Sequence, residues 1–167
     1  PSLRTGGIPI RTCGLQVHHY GKLKEKRTGR KTQTYSEMER RKLQTAGDRP
    51  ASLREAAVLA ARLGRPAEAI TLWRRFLESY PESAEAYVNL SAAWMQMGRY
   101  DEAARCAEAA SRTMPSMREA YVNLALAAVH RGDAARAVAV LEPLLVRDPG
   151  YLHARFLLAA SYACQGD

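Results

Sequence analysis

Residues 84–115 read AEAYVNLSAAWMQMGRYDEAARCAEAASRTMP, and residues 118–149 read REAYVNLALAAVHRGDAARAVAVLEPLLVRDP. The two stretches align without a gap at an offset of 34: Tyr87, Asn89, Leu90, Gly98, Ala103 and Pro115 recur as Tyr121, Asn123, Leu124, Gly132, Ala137 and Pro149. Working outward, SLREAAVLAARLGRPAEAITLWRRFLESYP (52–81) precedes them in the same register, and HARFLLAASYACQGD (153–167) opens a fourth copy. Gly64, Gly98, Gly132 and Gly166 fall 34 apart, as do Pro81, Pro115 and Pro149. A fixed period of this length marks a chain built from stacked copies of one supersecondary unit.

The residue types define that unit. Apolar side chains recur about every 3.6 positions on both sides of each glycine, which predicts two amphipathic helices joined by a tight turn. In the second copy Tyr87, Leu90 and Trp94 share one face of the first helix. Ser91, Ala103 and Ala107 are small enough to let the two helices approach closely. Gly98 stands where the first helix ends, a place that asks for a left-handed backbone, and glycine adopts it at least cost. Pro115 disfavours helix at the residue before it and so closes the second helix. Neither helix pair can bury its apolar face alone, so the copies stack into an all-α solenoid.

These positions resemble the tetratricopeptide repeat (TPR) pattern. Tyr87/Leu90/Ser91, Gly98/Tyr100, Ala103, Ala107, Ala110 and Pro115 match it, as do Tyr121/Leu124/Ala125, Gly132, Ala137 and Pro149. The resemblance covers residues 50–167 and divides them into 50–83, 84–117, 118–151 and a partial 152–167, which is three full repeats and one helix of a fourth. Two residues depart from it. Pro143 falls inside a second helix and is expected to kink it, at a cost of about 3 kcal/mol if unrelieved. Arg155 stands where the preceding copies carry Tyr87 and Tyr121. A last helix without its pair leaves an apolar face uncapped, so more chain is expected beyond Asp167.

The resemblance implies a function: the first helices of TPR arrays line a concave groove that takes extended peptides or partner helices. Carried over by position, the inward residues are Arg54, Val58 and Arg62, then Asn89, Ala92 and Gln96, then Asn123, Leu126 and His130. A carboxamide both donates to and accepts from a peptide backbone, so Asn89 and Asn123 can grip a chain whatever its sequence. This is similar to the asparagine ladder in the TPR part of O-linked N-acetylglucosamine transferases; the same residues could instead brace neighbouring repeats. The Lys/Asn pattern of chaperone-binding carboxylate clamps is absent, because the lysines are missing, so an acidic C-terminal tail is not the expected ligand. His130 reads as a solvated groove residue rather than a metal ligand, and Trp73 and Trp94 as helix-packing residues. Residues 50–167 carry no Gly-rich phosphate loop and no Ser/His/Asp, Cys/His or paired-carboxylate constellation, so neither chemistry nor a bound cofactor is expected there.

The formal net charge of +8 is unevenly placed. Residues 1–49 carry twelve Lys/Arg against four Asp/Glu, residues 50–167 carry thirteen of each, and no lysine follows Lys42. The break near Gly47–Pro50 is therefore a boundary, with the basic character confined to the N-terminal segment. No stretch approaches the roughly 18 uninterrupted apolar residues of a membrane span. Cys13, Cys106 and Cys164 are odd in number and lack ligand-like spacing, which fits buried free thiols in a reducing, cytoplasmic setting better than a disulfide framework or a zinc site. The high Arg and Ala content suggests a GC-rich bacterial gene.

The N-terminal segment divides into a basic extension (1–30) and a leading helix with linker (31–49). Its opening, PSLRTGGIPI, has no initiator Met and reads as a truncation. GLQVHH (14–19) alternates weakly, as a short strand does. A helix is expected from Lys31 to about Gln44, with Tyr35, Met38 and Leu43 on one face, packed against the first repeat. The basic run could be a solvated linker or could neutralise phosphates. Nucleic acid is not the expected partner, because aromatics are few and no recognition module is present.

LQVHHYGKLKEKRTGRK (15–31) and YSEMERRKL (35–43), followed by repeats, also resemble the junction of bacterial family 2 glycosyltransferases that carry TPR tails. The resemblance implies that His19, or less directly His18, lies near the metal-diphosphate end of a donor site. An imidazole can ligate a divalent metal or hydrogen-bond a diphosphate. The acidic motif and nucleotide pocket of such an enzyme are not in this chain, so by itself it is not expected to transfer sugar. The expected function is a peptide-binding module of a larger glycosyltransferase, and the alternative is a stand-alone TPR scaffold or adaptor.

Overall fold

A computed structural model of the chain describes residues 49–165, and these form seven helices with no strand among them. They are α1 (Pro50–Arg62), α2 (Pro66–Ser79), α3 (Ala84–Gln96), α4 (Tyr100–Thr113), α5 (Arg118–His130), α6 (Ala134–Arg147) and α7 (Leu152–Gln165). The expected strand at 14–19, the expected helix at 31–44, the histidines His18 and His19, Cys13 and Gly166 lie outside the described residues.

Local chemistry sets the helix ends. Pro50 and Pro66 occupy first-turn positions, where the missing N–H would have no helical acceptor. Ser83 caps α3 by accepting from the Ala86 N–H at 3.3 Å, and Asp133 caps α6 by accepting from Arg136 at 3.0 Å. Each first helix ends on a left-handed glycine, with φ of +70° at Gly64, +71° at Gly98 and +77° at Gly132. At Gly98 the closing bonds run from Gly98 N to Met95 O and from Arg99 N to Trp94 O, both 3.0 Å, which satisfies two carbonyls the helix would otherwise leave open. The same pair of bonds recurs at Gly64 and Gly132. Tyr80, Met114 and Asp148, each preceding a proline, leave the helical region with φ near −135° (−132°, −136° and −137°).

Packing follows from the small residues. Ser91 is fully buried and its hydroxyl donates to the Ala103 carbonyl at 2.8 Å, across an interface where Ala103 and Ala107 are also fully buried. Such contact is possible because nothing larger than a methyl or hydroxymethyl intervenes. Leu53, Ile70, Trp73, Phe76 and Leu90 form one core across the first two repeats. Ala125, Leu141, Leu144 and Leu157 form another toward α7. Trp73 is 1 % exposed, as a core residue should be. Trp94 packs against the core and is half-buried, with the guanidinium groups of Arg74 and Arg99 at 5.3 and 5.7 Å from its ring.

Pro143 does not end its helix: α6 continues from Ala134 to Arg147. Pro143 and Ala139, whose carbonyl loses its usual donor, are both exposed, so water can serve the orphaned carbonyl. No described helix is long and apolar enough to cross a membrane.

Candidate peptide-binding groove

The curvature of the array can be read from which helices touch. Each helix packs on the next in sequence, and in addition α3 meets α5 and α5 meets α7. The second helices α2, α4 and α6 make no comparable contacts with one another. From α3 to α7 the first helices therefore lie closer together than the second helices, and their free face is the inside of the curve.

The 34-residue register places four side chains at each level of that face. Arg54, Val88, Val122 and Phe156 form one row across α1, α3, α5 and α7. Four residues on, and hence on the same face, Val58, Ala92, Leu126 and Ala160 form a second row. Phe156 is 63 % exposed, Val58 is exposed, and Val88, Ala92, Val122 and Leu126 are half-buried. The face is an apolar strip two residues wide, with its largest accessible ring at the α7 end.

The polar residues expected in the groove differ in what they do. Arg54 is exposed and bonds Glu85 on the next first helix at 2.6 Å. That hydrogen bond, with the carboxylate's charge, raises the Arg54 pKa further. Asn89 donates from Nδ2 to the Glu85 carbonyl of its own helix at 2.9 Å. Asn123 donates instead to the Val88 carbonyl of α3 at 3.2 Å, and so ties two repeats together. Arg62 and Gln96 are exposed at the last positions of α1 and α3. His130 is half-buried, its ring lying face to face with Tyr100 at 4.6 Å and 4° between planes.

Val88, Val122 and Phe156 stand outside the set of residues expected in the groove. The signal was present, since each lies a multiple of 34 from Arg54.

No group of three or more His, Cys, Asp or Glu is placed to hold a metal ion among the described residues. Cys106 and Cys164 are free thiols. Burial pushes the Cys106 thiol up to about 11, against the pull of Arg74 and Arg105, so it is a poor nucleophile at neutral pH.

Comparison with solved structures agrees with this geometry. The crystal structure of MamA protein superposes with a TM-score of 0.70 at 21% identity, over 82% of this chain and 76% of that one. The first TPR of Spaghetti (RPAP3), bound to the HSP90 peptide SRMEEVD, gives 0.67 at 18% identity, over 71% and 96%. The TPR2B domain of yeast Sti1, in a pHsp70 complex, gives 0.63 at 19%, over 70% and 96%. No curated protein sequence matches the chain. A tetratricopeptide repeat family profile matches residues 54–103 and 95–151, more than half of the sequence. The chain belongs to the tetratricopeptide repeat family.

Proposed function

We propose that the chain is a protein-interaction module that takes a peptide segment on the inner face of its first helices. The observation that carries this reading is the apolar strip of Val58, Val88, Ala92, Val122, Leu126 and Phe156. It runs across neighbouring first helices and is flanked by hydrogen-bonding side chains. The carboxamides of Asn89 and Asn123 each use one N–H on a protein carbonyl and retain a second N–H and an oxygen for a peptide backbone. Support by analogy comes from the Spaghetti and Sti1 domains, whose structures hold an HSP90 peptide and a pHsp70 partner.

The test is isothermal calorimetry with the full chain and peptides selected from a random display library. Asn89→Ala combined with Asn123→Ala is expected to weaken binding severalfold with helicity unchanged. Phe156→Asp, at an exposed site, is expected to weaken it further. Wild-type affinity in both variants would remove the groove from consideration.

A finer reading places this module in a bacterial family 2 glycosyltransferase and rests on residues 15–31 and 35–43, with His19 and His18 near a divalent metal. An immunoblot of the native protein distinguishes the two forms. A mass greater by at least a domain, about 100–200 residues, favours the transferase, and a mass close to that of this chain favours a small cytoplasmic adaptor.

A further inference from the structure

Arg54 and Glu85 show where a cation sits on this face. In register terms the pair joins the fifth residue of one first helix (Arg54 in α1) to the second residue of the next (Glu85 in α3), at 2.6 Å. One repeat later the same two places hold Val88 and Glu119. The carboxylate is kept and the cation is replaced by an isopropyl group. Glu119 is exposed, and its charge helps to raise the pKa of Arg118, but it forms no salt bridge or side-chain hydrogen bond like that of Glu85. Its neighbour in sequence, Arg118, is committed elsewhere, to Asp148 at 2.6 Å.

The surroundings of Glu119 supply only the charge of Arg118, itself bound to Asp148, and His153 at the equivalent place on α7. At the inward-facing positions of α3, α5 and α7 the ionised side chains are Glu85 and Glu119, and no Lys or Arg occurs among them. Glu85 is already bound by Arg54. What remains is an apolar strip beside a carboxylate that has lost the guanidinium its equivalent holds. A peptide with a free acidic end meets a carboxylate there, and the nearby Arg118 is already bound to Asp148, whereas a cationic side chain completes a geometry the protein already builds once.

We infer that the groove selects a segment that sets an Arg or Lys side chain against Glu119 and apolar side chains, one of them large, along Val88, Val122 and Phe156. This rests on the groove reading above and adds the chemistry of its ligand. The cation takes the place relative to Glu119 that Arg54 takes relative to Glu85. Its neighbours in the segment lie over the two valines and reach the exposed ring of Phe156. An acidic carboxyl-terminal tail is disfavoured by the same charges.

The experiment selects a random peptide display library on three forms of the full chain: wild type, Glu119→Lys and Phe156→Asp. Both altered residues are exposed, and circular dichroism confirms that each variant keeps its helices. Wild type is expected to enrich Arg or Lys flanked by apolar residues. Glu119→Lys is expected to bind those peptides about twofold to fivefold more weakly, as loss of an exposed ion pair dictates, and to enrich Asp or Glu instead. Phe156→Asp is expected to lose the large apolar residue from the consensus.

Enrichment of acidic peptides on wild type, or a cation preference unchanged by Glu119→Lys, overturns the ligand chemistry. If Phe156→Asp still abolishes binding, the groove itself stands. Peptides indifferent to Phe156→Asp and to the asparagine double variant, or no enrichment at all, overturn the groove reading and this inference with it.

Discussion

Asn123 on α5 donates its side-chain N–H to the carbonyl of Val88 on α3, at 3.2 Å, and thereby joins two repeats. Asn89, its counterpart one period earlier, turns the same group back to Glu85 on its own helix, at 2.9 Å. Equal sequence positions therefore carry unequal energies. An inter-helix hydrogen bond contributes about 1 kcal/mol, and the gain in helix propensity from Asn to Ala offsets about half of it. The local bond of Asn89 contributes little beyond the helix it sits in. Urea unfolding of the two single alanine variants is expected to show Asn123→Ala less stable than Asn89→Ala by about 1 kcal/mol. Equal values would mean that the Val88 contact does not brace the array.

The three turn glycines make a second prediction. A Cβ at Gly98 meets nothing within 4 Å, so steric crowding by neighbours is not the issue. The backbone is: φ is +71°, and an L-residue there costs about 1–2 kcal/mol. Gly98→Ala should lower stability by roughly that amount, and Gly98→Asn by less, because asparagine tolerates the left-handed region. Thermal melts of the two variants check the order. An alanine variant as stable as wild type would show that the turn can be closed another way.

Cys106 predicts a dependence on pH. Its folded thiol holds its proton up to about 11 against an ordinary value of 9.0, chiefly because it is buried. A group whose folded pKa is raised contributes stability that is complete below the unfolded value and is lost as pH climbs through the folded one. The window is therefore about pH 9 to 11. Tyr151 and Tyr162 are also raised, the first by burial and the second by its hydrogen bond to Glu142, so the comparison must be differential. Wild type minus Cys106→Ala should lose melting temperature between pH 8 and pH 10.5. A parallel fall in both proteins would contradict the buried-thiol account. At pH 8 alkylation of folded Cys106 should run about a hundredfold slower than in the unfolded chain.

The repeat was legible in the sequence because its punctuation is physical. Gly64, Gly98 and Gly132 all adopt the left-handed turn, and the residues before Pro81, Pro115 and Pro149 all leave the helix. Those choices depend on one or two residues each and survive any change of neighbour. The partner of an asparagine does not: whether Nδ2 reaches across or back depends on how close the adjacent carbonyl lies, which no single position encodes. Trp94 shows the same limit. Its spacing marks it as packed, but its two guanidinium neighbours come from α2 and the α3–α4 turn together. The Val88–Val122–Phe156 row is fixed by the 34-residue offset to Arg54, but its residue types carry no polar signature of a site.

Chemical shifts of the isotope-labelled full chain, titrated with a selected peptide, test the binding face most directly. Perturbed amides are expected to gather along α3, α5 and α7 at Asn89, Ala92, Val122, Leu126 and Phe156. Perturbations gathered instead on the second helices, around Arg105, Arg112 and Arg136, would contradict binding in the groove.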